Sequence, residues 1–107
     1  MILLSRSEEI ILLAVCKLKD NAYGVTIREQ VFADTNHYWA FGVIYKTLKK
    51  LLERDFVRKV KSEPLNERGG RSKYYYFLTK DGLRELETIK NVHQSMWDGV
   101  EILAYDL

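Results

Sequence analysis

A chain of 107 residues, at about 150 residues per domain, has room for one compact core, and 47% hydrophobic with 30% charged residues is a globular composition rather than a disordered one. Seventeen Lys and Arg stand against 15 Asp and Glu, so a wholly basic nucleic-acid coat protein is disfavoured. A single cysteine, Cys16, excludes an internal disulfide and a multi-cysteine zinc site, and His37 and His93 alone leave little for a metal centre, so no metal or cofactor is expected.

The first residues, Met1-Ile2-Leu3-Leu4-Ser5-Arg6, put no basic segment ahead of the apolar ones and do not read as a signal peptide. Ser5 and Glu8 have the spacing of a capping box and open a first helix. Its apolar residues run from Ile10 to Leu18, on most sides, which places it centrally in the core. The longest apolar run, Ile10 to Cys16, is too short to cross a bilayer. Cys16 reads as a small buried hydrophobe. A second helix is expected over Val25 to Phe32, with Ile27, Val31 and Phe32 inward and Asp34-Thr35-Asn36 breaking the chain.

The third helix, Phe41 to Arg54, separates two faces. At 100° per residue Phe41, Ile44, Leu48, Leu51 and Leu52 share a core side. The opposite side carries Gly42, Val43, Lys46, Lys50 and Arg54, with Lys49 on its shoulder. Two strand-prone runs follow, Phe56 to Lys61 and Lys73 to Leu78, joined by a Pro- and Gly-containing loop that reads as a long hairpin. Tyr74 and Tyr76 should share one face and Tyr75 the other. Thr79 caps a last helix from Lys80 to near Leu103. Its residues Leu86, Ile89, His93, Met96, Val100 and Leu103 form an a/d stripe that suits a two-fold dimer as well as packing on the chain's own first helix.

Charge is unevenly spread. Residues 41–76 hold ten basic and four acidic side chains, a net +6, between mildly acidic flanks. Such a segment suits an anionic partner. The carboxylates of Glu8, Glu9, Glu85 and Glu87 have no histidine or nucleophile partner in a recognisable motif, so no enzyme is expected.

Three stretches together resemble the PadR-like transcriptional regulators: Asn21-Ala22-Tyr23-Gly24-Val25-Thr26-Ile27, the third helix from Phe41-Gly42-Val43-Ile44-Tyr45 to Phe56-Val57, and Arg68-Gly69-Gly70-Arg71-Ser72-Lys73-Tyr74-Tyr75-Tyr76-Phe77-Leu78-Thr79 followed by Gly82. The resemblance covers about Ile10 to Leu83. It departs at Ala40, where the family usually has a serine, and the single last helix resembles the small class of the family. It implies a mainly α (α+β) winged helix-turn-helix of order α-α-α-β-β-α. Residues 1–79 would form the DNA-binding domain and 80–107 a dimerisation helix packed on it. It further implies a cytoplasmic homodimer that binds double-stranded DNA as a repressor.

Gly42, Val43, Tyr45, Lys46, Lys49 and Lys50 of the third helix are then the expected DNA contacts, with Arg68, Arg71 and Lys73 of the wing. Tyr45 reads equally as a phosphate-bonding hydroxyl or a packed ring. Trp97, beside the stripe, is either interface packing or a flat surface for a small planar aromatic ligand, as some small family members use a tryptophan of their C-terminal helix. The alternative reading is a winged-helix protein-interaction module without DNA binding; the basic middle third argues for DNA.

Overall fold

The computed structural model describes residues 3–62 and 73–101. Helix α1 spans Arg6–Leu18, α2 Gly24–Thr35 and α3 Phe41–Glu53; strands β1 (Val57–Lys61) and β2 (Tyr74–Leu78) follow, then α4 (Lys80–Trp97). The fold is mainly helical, in the expected order.

The Ser5 cap forms as read. The Glu8 N–H donates to Ser5 Oγ at 3.2 Å, and the Ser5 N–H donates back to the Glu8 carboxylate at 2.9 Å. Helix α1 then runs through the middle of the domain and touches α2, α3, β2 and α4. Ile11, Leu12, Ala14 and Val15 are buried, together with Ile27 and Val31 of α2 and Ile44, Leu48 and Leu51 of α3. Burying side chains of this kind stabilises by about 1.5–3 kcal/mol each, before conformational entropy is set against it.

Several expectations are corrected at the margins of this core. Helix α2 continues through Asp34 and Thr35 and ends at Asn36, which takes the left-handed conformation at φ 63°. Phe32 lies outside the core, stacked on Tyr38 with ring centroids 4.1 Å apart. Phe41 is also exposed: as the first residue of α3 it overhangs the core and packs on the Arg28 guanidinium. Thr47 takes a core place instead, because its hydroxyl donates to the Val43 carbonyl at 2.8 Å and leaves its methyl to pack inward. Cys16 is only half-buried, at the rim of a groove between α1 and α4.

The hairpin is antiparallel, with Val57 opposite Leu78, Lys59 opposite Tyr76 and Lys61 opposite Tyr74. Its alternation is as read: Tyr76 is buried, Tyr74 on the same face is exposed, and Tyr75 on the other face meets Tyr23 edge-on at 5.4 Å. The second edge of β2 is also tied down, since the Tyr76 N–H donates to the Ala22 carbonyl at 2.8 Å.

The junction from hairpin to α4 is closely bonded. Thr79 Oγ1 donates to the Asp55 carbonyl at 2.7 Å and accepts from the Gly82 N–H at 3.0 Å. The Thr79 N–H donates to the Phe56 carbonyl at 3.1 Å. Gly82 is pressed so near that carbonyl that any β-carbon would overlap it. Helix α4 ends at Trp97, short of the expected Leu103, because Asp98 leaves the helical conformation and Gly99 follows with φ 79°. Val100 therefore lies beyond the helix, exposed, and Leu103 lies outside the described residues.

Candidate nucleic-acid interface

The outward face of α3 presents Gly42, Val43, Tyr45, Lys46, Lys49 and Lys50, all exposed. None of the three lysines has an acidic partner among the described residues. Arg54, which the helical wheel puts on the same side, turns away. Its guanidinium lies 3.8 Å from the Glu8 carboxylate and 4.8 Å from the Phe56 ring centroid, and so joins α3 to α1. The cationic face is thus the first three turns of the helix.

The N-terminal end of α3 is held without a side-chain cap. Ala40 offers no acceptor, and the residue accepts only through its carbonyl, from Val43 and Ile44. The turn before it is fixed by Arg28 of α2. That guanidinium sits between the rings of Tyr38 and Phe41, 4.9 and 4.6 Å from their centroids, and its Nε donates to the Trp39 carbonyl at 2.9 Å. A cation held by two rings contributes about 0.5–1 kcal/mol per pair. Arg28 was not among the sequence candidates, because the residues that hold it lie ten and more positions further on.

Beside α3 the hairpin adds Arg58, Lys59, Lys61 and Lys73, all exposed. Lys59 lies over the Tyr74 ring and Lys73 over the Tyr23 ring, each at 4.3 Å. Arg68 and Arg71 lie outside the described residues. Tyr45 combines its two readings: its ring spans the start of α2 over Gly24, where a β-carbon would overlap the hydroxyl, yet it remains about half exposed. A helix with small and cationic residues outward, flanked by a cationic hairpin, is shaped to enter a groove of a duplex and to hold the phosphates on either side.

The sequence pattern of the transcriptional regulator PadR-like family matches residues 12–88 of the chain. The chain belongs to this family. PadR-like proteins are regulators of transcription, not enzymes, and the fold agrees with solved members. The chain is similar to a PadR family transcription regulator from hypervirulent Clostridium difficile, with a TM-score of 0.72 and 23% identity over 88% of this chain and 93% of that one. A PadR-like transcriptional regulator from Bacillus cereus gives 0.72 and 20% over 94% and 92%, and one from Eggerthella lenta gives 0.70 and 21% over 92% and 83%. No curated protein sequence matches. No helix among the described residues is long and apolar enough to cross a membrane.

On the opposite side of this PadR-like domain, the α4 stripe divides. Leu86 and Ile89 are buried against the chain's own helices, while Met96 and Trp97 are 65% and 57% exposed. His93 is tied inward: its Nε2 lies 3.0 Å from both oxygens of Glu9 on α1. A carboxylate–histidine pair therefore does exist, joined across 84 positions of sequence, where no local motif could reveal it. Between α1 and α4 runs an apolar groove of about 530 Å³, with Leu13 and Leu83 exposed along it.

Proposed function

We propose that the chain is a homodimeric, sequence-specific DNA-binding regulator, a cytoplasmic repressor, in which α3 enters the major groove and the hairpin grips the backbone. The observation that carries this reading is the unpaired cationic face of α3 beside the cationic strands. In it, Gly42 and Val43 approach base edges, Tyr45, Lys46, Lys49, Lys50 and Lys73 contact phosphates, and Arg68 and Arg71 extend the contact along the wing. Residues 1–79 act as the DNA-binding unit, and residues 80–107, which begin with α4, supply the dimer contacts.

The dimer reading is supported by the apolar groove between α1 and α4, which leaves Leu13 and Leu83 in water. Met96, past the end of the buried stripe, is available to a second copy, with His93, Leu86 and Ile89 stiffening the helix from inside. Val100, exposed just past the helix, is proposed for the same face, as is Leu103, which lies outside the described residues. Trp97, mostly exposed at the end of α4, suits stacking of a small planar aromatic ligand between two copies.

The test is binding of the chain to a duplex taken from upstream of its own gene, measured across salt concentrations. Replacing Lys46 and Lys49 by alanine should weaken binding about tenfold or more and make the salt slope shallower by roughly two. Unchanged affinity at physiological ionic strength would remove α3 from the interface.

A further inference from the structure

One cavity is left over by the outer faces. It lies between the start of α2, the side of α3 and the base of the hairpin, and encloses about 340 Å³. Gly24, Tyr45, Lys59, Lys73, Tyr74 and Tyr76 line it. Every side-chain polar group it collects is a hydroxyl or an ammonium, and none of its lining residues is acidic.

Its floor is a tyrosine. Tyr76 is only 3% exposed, and its hydroxyl, open to the cavity, has no hydrogen-bond partner among the described residues. Burial pushes its pKa above the ordinary 10.0, and the neighbouring Tyr45 and Tyr74 add to the effect. The hydroxyl is thus a neutral donor at physiological pH.

The walls agree with the floor. At the start of α2 the Thr26 hydroxyl accepts from the Tyr23 N–H at 3.0 Å, and the helix start beside it carries a partial positive charge. Gly24 leaves the room that the Tyr45 hydroxyl fills. Lys59 and Lys73 stand at the mouth, each steadied by a tyrosine ring.

We propose that this cavity is a phosphate site that seats one backbone phosphate of the DNA duplex, with the Tyr76 hydroxyl donating from its floor and Lys59 and Lys73 closing its rim. The proposal rests on the DNA-binding reading. The duplex is the source because Tyr45 belongs both to this cavity and to the outward face of α3, so a strand lying along that face passes the mouth. A free phosphate is the other source of the same chemistry.

The experiment compares the full chain with its Tyr76→Phe variant, which keeps the ring and the backbone bond to Ala22 and removes only the unpaired hydroxyl. The variant should unfold at about the same denaturant concentration, yet bind a duplex about tenfold to a hundredfold more weakly, the value of one hydrogen bond to a charged acceptor. Its salt slope should stay unchanged, whereas the paired change Lys59→Ala and Lys73→Ala should lower the slope by about two. In parallel, inorganic phosphate is titrated against the amide resonances of Gly24 and Val25. A saturable shift in the native chain, lost in Tyr76→Phe, supports the site.

If the native chain binds duplex and Tyr76→Phe binds it equally well, the phosphate seat is overturned and the DNA reading stands. If the native chain binds no duplex but inorganic phosphate saturates the two amides, the DNA reading fails and the duplex is overturned as the source. No response to either probe overturns both.

Discussion

The two sides of this domain are unfinished in opposite ways. Around α3 and the hairpin, what lacks a partner is polar: lysines without acids and a tyrosine hydroxyl that opens on a cavity without an acceptor. Between α1 and α4, what is left in water is largely apolar, with Leu13, Leu83 and Met96 exposed while the imidazole of His93 and its carboxylate satisfy each other. The first face needs an anion, which salt can outcompete; the second needs oil, which salt does not weaken. On the proposed reading, one domain thus separates what it reads from what it pairs with, and each can be broken alone.

The largest expected effect comes from putting a charge into the apolar side. Leu83→Glu changes an exposed residue and should leave the fold intact, yet convert a dimer to monomer at micromolar concentration, as sedimentation would show. Losing the second recognition helix should then weaken duplex binding by about a hundredfold or more. A dimer that survives the charge would place the interface elsewhere.

A smaller effect sharpens the polar side. Arg28→Ala removes the cation between Tyr38 and Phe41 and should cost about 1–2 kcal/mol of stability, read as a lower urea midpoint at constant slope. DNA affinity should fall further than the Lys49→Ala variant alone, because the start of α3 loses its support.

Smaller again is the pair that joins α1 to α4. A double-mutant cycle with Glu9→Gln and His93→Gln should give a coupling of about 0.5–1 kcal/mol, modest because His93 is partly open to water. Duplex binding should not change, since the pair lies on the other side.

The smallest effect is alkaline. Tyr76 has its pKa raised in the folded chain, so its contribution is complete below the unfolded value of 10.0 and is lost as pH rises above it. Stability should decline above about pH 10, and less so in Tyr76→Phe. Tyrosinate absorbance should show one ring ionising later than the rest.

What could be read from the sequence was mostly what is local. The Ser5–Glu8 and Thr79 caps each span three residues, and the 3.6-residue period of α3 marks Ile44, Leu48 and Leu51 correctly. The period misled where chemistry or position intervened: Thr47 hides its hydroxyl in its own helix, and Phe41 stands beyond the reach of the core. The a/d stripe of α4 invited an extension past Gly99, although that glycine is itself a stop signal. The family resemblance put the expected contacts on one face of α3. Lys59 and Tyr76 were missed as a pair because their meeting depends on hairpin register, and Arg28 because three separate segments must come together around it.

The bonded junction at Thr79 makes one mechanical consequence plain. With Asp55 and Phe56 on one side and the first turn of α4 on the other, the hairpin base and α4 are bonded to each other without an intervening loop. A tilt of α4, such as the proposed dimer or a ligand at Trp97 would impose, would therefore carry the base of the wing with it. Helix α4 is in this sense a lever arm, and Gly82 is the rivet that keeps it from slipping.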